Sequence, residues 1–132
     1  MGLFKGLFGK ENNENKGDGN EVPWISLVSI DQLSEIEKKS SVRPQVIFKH
    51  STTCGVSRMV LNIFKSSYNL QSSQMDLYFL DLHANRDVSN EVAVKFGIVH
   101  QSPQLLIIKN GRVERHASHG EISEINLEDY LS

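Results

Sequence analysis

The stretch Val46-Ile47-Phe48-Lys49-His50-Ser51-Thr52-Thr53-Cys54-Gly55-Val56-Ser57-Arg58 decides the fold. Val46-Ile47-Phe48 is an apolar run of the kind a buried strand carries. Beyond the polar turn, Val56, Met59, Val60, Ile63 and Phe64 recur at i, i+3, i+4, i+7 and i+8, which is one face of a helix. Thr52 or Thr53 suits the cap of that helix. Cys54 therefore stands where a strand ends and a helix begins. A helix N-terminus has unpaired N–H groups and a partial positive charge, and both favour a thiolate. The thiolate is the nucleophilic form of cysteine. The other reading is an inert core thiol, since free cysteine is often buried. The small and polar neighbours Ser51, Thr52, Thr53, Gly55 and Ser57 suit an exposed turn better than a core.

Upstream, Asn12 to Asn20 is polar and rich in Asn and Gly, a linker composition. Residues 1–20 thus read as a flexible N-terminal tail and residues 21–132 as one domain. Leu3, Phe4, Leu7 and Phe8, with Lys5 and Lys10 nearby, offer a weak membrane contact by residues 1–9, or simply a mobile tail. Gly6 and Gly9 interrupt any signal-peptide core, and Gly6 breaks the myristoylation pattern. Trp24 to Val28 predicts a strand. Ser29 and Gln32 match a capping box, and Leu33 and Ile36 give the helix that follows an apolar face to about Ser40.

Downstream, the helix after Cys54 is predicted to reach about Tyr68. Leu77-Tyr78-Phe79-Leu80 reads as a strand covered on both faces. Ser89 to Phe96 predicts a helix stopped by Gly97, and Leu105 to Ile108 another buried strand. Asn110-Gly111 is a strong hairpin signal, so Arg112 to Ala117 should return antiparallel. Glu121 to Leu131, with Ile122, Ile125 and Leu127, predicts a closing helix. The order β-α-β-α-β-α-β-β-α implies an α/β fold, a mixed central sheet with helices on both faces.

Composition narrows the function. Fourteen Lys and Arg against 16 Asp and Glu give a net charge of -2, with no basic excess for nucleic acid. A single cysteine excludes an intramolecular disulfide framework and a Cys-rich zinc site, and suits a reducing compartment, hence a cytoplasmic protein. His116 and His119 are three apart, so in a strand they point to opposite faces, and no metal site is expected. No apolar run approaches ~18 residues, the length of a membrane span.

The strand–Cys54-Gly55-Val56-Ser57–helix unit and the run Ala93-Val94-Lys95-Phe96-Gly97-Ile98-Val99-His100-Gln101-Ser102-Pro103-Gln104 to Lys109-Asn110-Gly111 resemble the thioredoxin-like superfamily. With Lys49 to Cys54, His100 to Gln104 and Ala117-Ser118-His119, the chain resembles the YtxJ-like monothiol bacilliredoxins, a group linked to the stress response, more than it does thioredoxin itself. The resemblance spans about residues 24–131. Two departures from thioredoxin stand out: Ser57 replaces its second cysteine, and Phe48 occupies the place of its buried acid. Bacilliredoxins more often carry proline where this chain has Gly55.

The resemblance implies a monothiol thiol-disulfide oxidoreductase. Cys54 would take bacillithiol from S-bacillithiolated proteins as a mixed disulfide, and a second bacillithiol would free it. Bacillithiol is then a thiol co-substrate, with no tightly bound cofactor. The residues expected to stabilise the thiolate or bind substrate are Thr53, Gly55, Val56, Ser57, Lys49, Ser102 and Pro103. Lys49 either lowers the thiol pKa or holds a bacillithiol carboxylate, or it is a strand-end lysine in solvent. His100 either borders the same groove or is an ordinary loop histidine, and Arg58 reads as a solvated first-turn residue. X-Pro bonds are cis in only ~5–6% of cases, but the resemblance implies a cis Ser102-Pro103 bond beside Cys54. Two other functions stay open: a glutaredoxin-like iron–sulfur carrier, in which Cys54 of two subunits and two small thiols hold the cluster, and a non-catalytic stress-related binding module.

Overall fold

The computed structural model describes residues 22–70 and 73–131. The predicted tail, residues 1–20, and its membrane contact lie outside the described residues. The elements are β1 (Trp24–Ser26), α1 (Asp31–Lys39), β2 (Gln45–His50), α2 (Gly55–Ser67), β3 (Asp76–Asp81), α3 (Arg86–Phe96), β4 (Gln104–Lys109) and β5 (Arg112–Ser118). Two short 3₁₀ segments follow, His119–Glu124 and Leu127–Tyr130.

The strand order is β1-β3-β2-β4-β5. β3 runs parallel to both β1 and β2, β4 is antiparallel to β2, and β5 returns antiparallel to β4 with an irregularity between Ile107 and Ile108. β2, which leads to Cys54, is the central strand, and all six of its residues are buried. Strand side chains alternate between faces. Val46 and Phe48 therefore join Val60 and Phe64 of α2, while Ile47 joins Leu33 and Ile36 of α1 and Val88 and Val92 of α3. Trp24 stacks on Phe64 at 5.7 Å between ring centroids and meets Phe48 edge-on at 5.9 Å. Such aromatic pairs add about 0.5–1.5 kcal/mol beyond the area they bury.

Most local expectations hold. Gln32 Oε1 accepts the Ser29 N–H at 3.0 Å, which is the glutamine half of the capping box. Gly97 ends α3 in the left-handed conformation, φ 69°. Asn110 and Gly111 both have positive φ, 53° and 80°, as a tight hairpin turn requires.

Two expectations change. The buried stripe of α2 is Ser57, Val60 and Phe64, whereas Val56, Met59 and Ile63 are exposed. The core side of the helix is centred on Val60 and Phe64, with Leu61 packed beside them, so part of the wide apolar face read from the sequence stays outside. The closing helix is absent as well. Ile125 and Asn126 are extended between the two 3₁₀ segments, and the Asn126 side chain caps the second by accepting the Glu128 N–H. Ile122 and Leu127 are five apart, which fits two separate turns seated on the core better than one helical face.

Candidate functional site

Parallel neighbouring strands release their following loops at one edge of the sheet, where ligands of α/β proteins gather. β2 and β3 do this, so the Cys54 loop and the loop before α3 meet. Cys54 is the N-cap residue of α2, extended at φ -110° and ψ 120°. Its carbonyl accepts the Arg58 N–H at 3.2 Å, and its N–H reaches the Ser51 carbonyl at 3.4 Å. The residue is partly exposed and unpaired with any cysteine. Gly55 and Val56 open α2 on the outside, and a Cβ added at Gly55 would meet nothing within 4 Å. Accessibility of this kind is what exchange at sulfur needs.

Ser57 is fully buried. Its Oγ accepts the Ser51 N–H at 3.1 Å and lies 2.9 Å from His50 Nδ1. Among the described residues no hydrogen bond joins it to Cys54 Sγ. The hydroxyl thus fastens α2 to the end of β2. Burial, more than the nearby Arg58, holds His50 below the ordinary imidazole pKa, against the opposing pull of Asp81.

Lys49 departs further from expectation. It is neither in solvent nor free for a ligand: it is 0% exposed and lies on the α3 face of the sheet. Its Nζ donates to the Ser89 carbonyl at 3.1 Å and lies 3.2 Å from His100 Nδ1. Burial lowers its pKa to about 8. The reason is the strand pleat: Phe48 and His50 face α2, so Lys49 must face the other way.

Thr53 is exposed beside the thiol. Its Oγ1 lies 3.2 Å from His83 Nε2, and the same nitrogen lies 2.8 Å from Ser51 Oγ. Arg58 reaches back to the Thr52 carbonyl at 3.2 Å. Asp81 shapes the neighbouring turn by accepting the N–H groups of His83 and Ala84. His83 carries no motif of its own in the sequence. The signal available was topological: the loop after β3 lands beside the loop after its parallel neighbour.

The Ser102-Pro103 bond is cis. β2 and β4 pair Lys49 with Gln104. One step further along the antiparallel register, Pro103 comes level with His50, and Ser102 with Ser51. Ser102 and Pro103 therefore lie at the end of the sheet from which the Cys54 loop leaves. Ser102 Oγ is buried without a hydrogen-bond partner. Among the described residues, no group of three or more His, Cys, Asp or Glu is gathered for a metal, and no helix is long and apolar enough to cross a membrane.

Known proteins share this fold. A protein assigned as an oxidoreductase with a thioredoxin fold superposes with a TM-score of 0.64 and 31% identity, over 75% of this chain and 85% of the other. The thioredoxin Mala s 13 of Malassezia sympodialis gives 0.63 at 18% identity, over 83% and 87%. The thioredoxin NaTrxh of Nicotiana alata gives 0.63 at 18%, over 85% and 96%. At such low identity the two thioredoxins speak for the fold alone: this is a thioredoxin-like α/β protein. Residues 25–127 match the family profile of the monothiol bacilliredoxin BrxC. With one cysteine presented at the head of α2 and a family match over most of its length, the chain belongs to the monothiol bacilliredoxins, thiol-redox proteins of thioredoxin-like fold.

Proposed function

We propose that the protein removes bacillithiol from S-bacillithiolated proteins by exchange at Cys54. The Cys54 thiolate attacks the bacillithiol sulfur of the mixed disulfide. The old S–S bond breaks as the new one forms, and the protein leaves as a thiolate that takes a proton from water. A second bacillithiol thiolate then attacks the sulfur it shares with Cys54. Bacillithiol disulfide departs and Cys54 is a thiolate again. Each step exchanges one disulfide for another, so no outside oxidant enters.

The observation that carries this reading is the pairing of an accessible Cys54 with a buried serine three residues on. A thiol at that serine's position would resolve the mixed disulfide internally, but a hydroxyl cannot. Resolution therefore belongs to a second small thiol. The test is to mix the protein with a bacillithiolated protein and follow intact masses. Wild type gains one bacillithiol and sheds it only after free bacillithiol is added, and Cys54→Ser gains none. Shedding without added thiol, or transfer by Cys54→Ser, overturns the mechanism.

A further inference from the structure

Lys49 of β2 and Gln104 of β4 are directly paired across the sheet, and both are buried. Both reach into the loop of residues 98–103, between α3 and β4. Lys49 Nζ bonds the Ser89 carbonyl of α3 and meets His100 Nδ1, while Gln104 Nε2 donates to the Val99 carbonyl at 3.0 Å. One grip holds a side chain and the other holds the backbone one residue earlier. The loop ends in Ser102 and Pro103, level with Ser51 and His50 at the Cys54 edge.

A buried ammonium costs several kcal/mol in desolvation, and a paired carboxylate is the usual compensation. Among the described residues, none stands within salt-bridge distance of Lys49. A methionine would fill the same space without that cost. The charge is spent on a loop, not on packing. Gln104 Oε1 and Ser89 Oγ, both buried nearby in the fold, have no hydrogen-bond partner, so the polar cluster around Lys49 is not optimised for stability either.

We propose that Lys49 is a positioning residue, fixing His100 and with it the 98–103 loop as the rim on which a protein disulfide docks beside Cys54. The proposal rests on the exchange reaction assigned to Cys54. A folded or extended protein substrate needs a fixed rim, because its backbone must line up before sulfur meets sulfur. A small disulfide does not. The grip also responds to acid. Lys49 from β2 and Arg86 from α3 are the charged groups acting on His100, and both are cations. An ammonium only donates, so Nδ1 is the acceptor in this contact, and burial and these cations hold the His100 pKa below its ordinary value. In acid, Nδ1 takes a proton, faces an ammonium, and the grip is lost.

The experiment compares wild type with Lys49→Met, His100→Ala and His100→Gln on two substrates, a bacillithiolated protein and bis(2-hydroxyethyl) disulfide. His100 is exposed, so its variants spare the core. For the protein substrate, Lys49→Met and His100→Ala should raise KM about tenfold, the worth of ~1.4 kcal/mol of docking. The rate with the small disulfide should stay within about twofold, the scatter expected when no contact is lost. His100→Gln, whose amide oxygen accepts from Lys49, should restore the protein KM and remove its rise at acid pH. Equal losses on both substrates, or an unchanged protein KM in both Lys49→Met and His100→Ala, overturn the proposal. Should wild type ignore bacillithiolated protein, the same comparison is made with a glutathionylated one. Failure of the bacillithiol reading then stays separate from failure of the rim.

Discussion

The Ser57 hydroxyl sits 2.9 Å from His50 Nδ1, joining the first turn of α2 to the last residue of β2 across the loop that holds Cys54. The position that holds a second thiol in thioredoxin therefore serves here as an anchor. Ser57→Ala leaves the buried Ser51 N–H and a ring nitrogen without this partner. It should destabilise the protein by about 1–3 kcal/mol, read as a fall in denaturation midpoint with unchanged m-value. Exchange at Cys54 should persist in the variant below its melting range. An unchanged midpoint would show that the hydroxyl anchors nothing.

Gly55→Pro should stabilise the fold. Gly55 is the first residue of α2, where proline is favoured, and Cys54 before it already has the extended backbone that a residue preceding proline requires. The space beside Gly55 is empty. A gain of about 0.4–1 kcal/mol should follow from the stiffer unfolded chain. Chemical denaturation measures it, and a loss instead of a gain would mean the turn needs the freedom of glycine.

Alkaline stability should report on Lys49. Its folded pKa, about 8, is below its ordinary value of 10.5. Between these values the unfolded chain binds more protons than the folded one, so the Lys49 contribution to stability rises as pH climbs from 8 towards 10.5. Lys49→Met lacks this contribution. The stability of wild type relative to the variant should therefore improve across that window, a difference that cancels the other titrating groups. A pH-independent difference would place the ammonium in water.

Acid should act through Asp76. Its carboxylate takes a two-point contact from Arg43, at 3.0 and 3.1 Å, and a bond from Gln45 at 2.8 Å. Burial pushes its pKa up, but these bonds outweigh burial and leave it below the ordinary value. Its contribution is complete above the ordinary carboxylate pKa, and it fades as pH falls through the lowered one. Asp76→Asn should cost about 1–3 kcal/mol at pH 7, towards the low end because Arg43 is half exposed. The gap to wild type should close below pH ~4. A gap that persists in acid would assign the loss to packing.

The sequence carried the fold wherever one local rule decided a residue's place. The Asn110-Gly111 turn, the stop at Gly97 and the thiol at the head of α2 are such cases. It misled where a side chain's direction depended on a neighbour it could not show. Lys49 next to His50 looks like a polar strand end. Only the pleat, set by Phe48 packing on α2, sends Lys49 under α3 to His100. Ser57 looked like a donor to sulfur because it is close in the chain, yet one helical turn carries it inward to His50. Val56, Met59 and Ile63 have the spacing of a core face, and only the seating of α2 on Val60 and Phe64 leaves them outside. His83 has no pattern of its own, and the parallel pairing of β2 and β3 is what brings it to Thr53.

The place of β2 in the middle of the sheet has a consequence for motion. β2 is bonded on both sides, to β3 and β4, so its backbone bonds meet water only when the middle of the sheet comes apart, and it belongs to the part of the molecule that opens last. Cys54 follows that strand by four residues. The nucleophile is thus tethered to the slowest-opening part of the fold, and local fraying at β1 or β5 leaves its bearing unaltered.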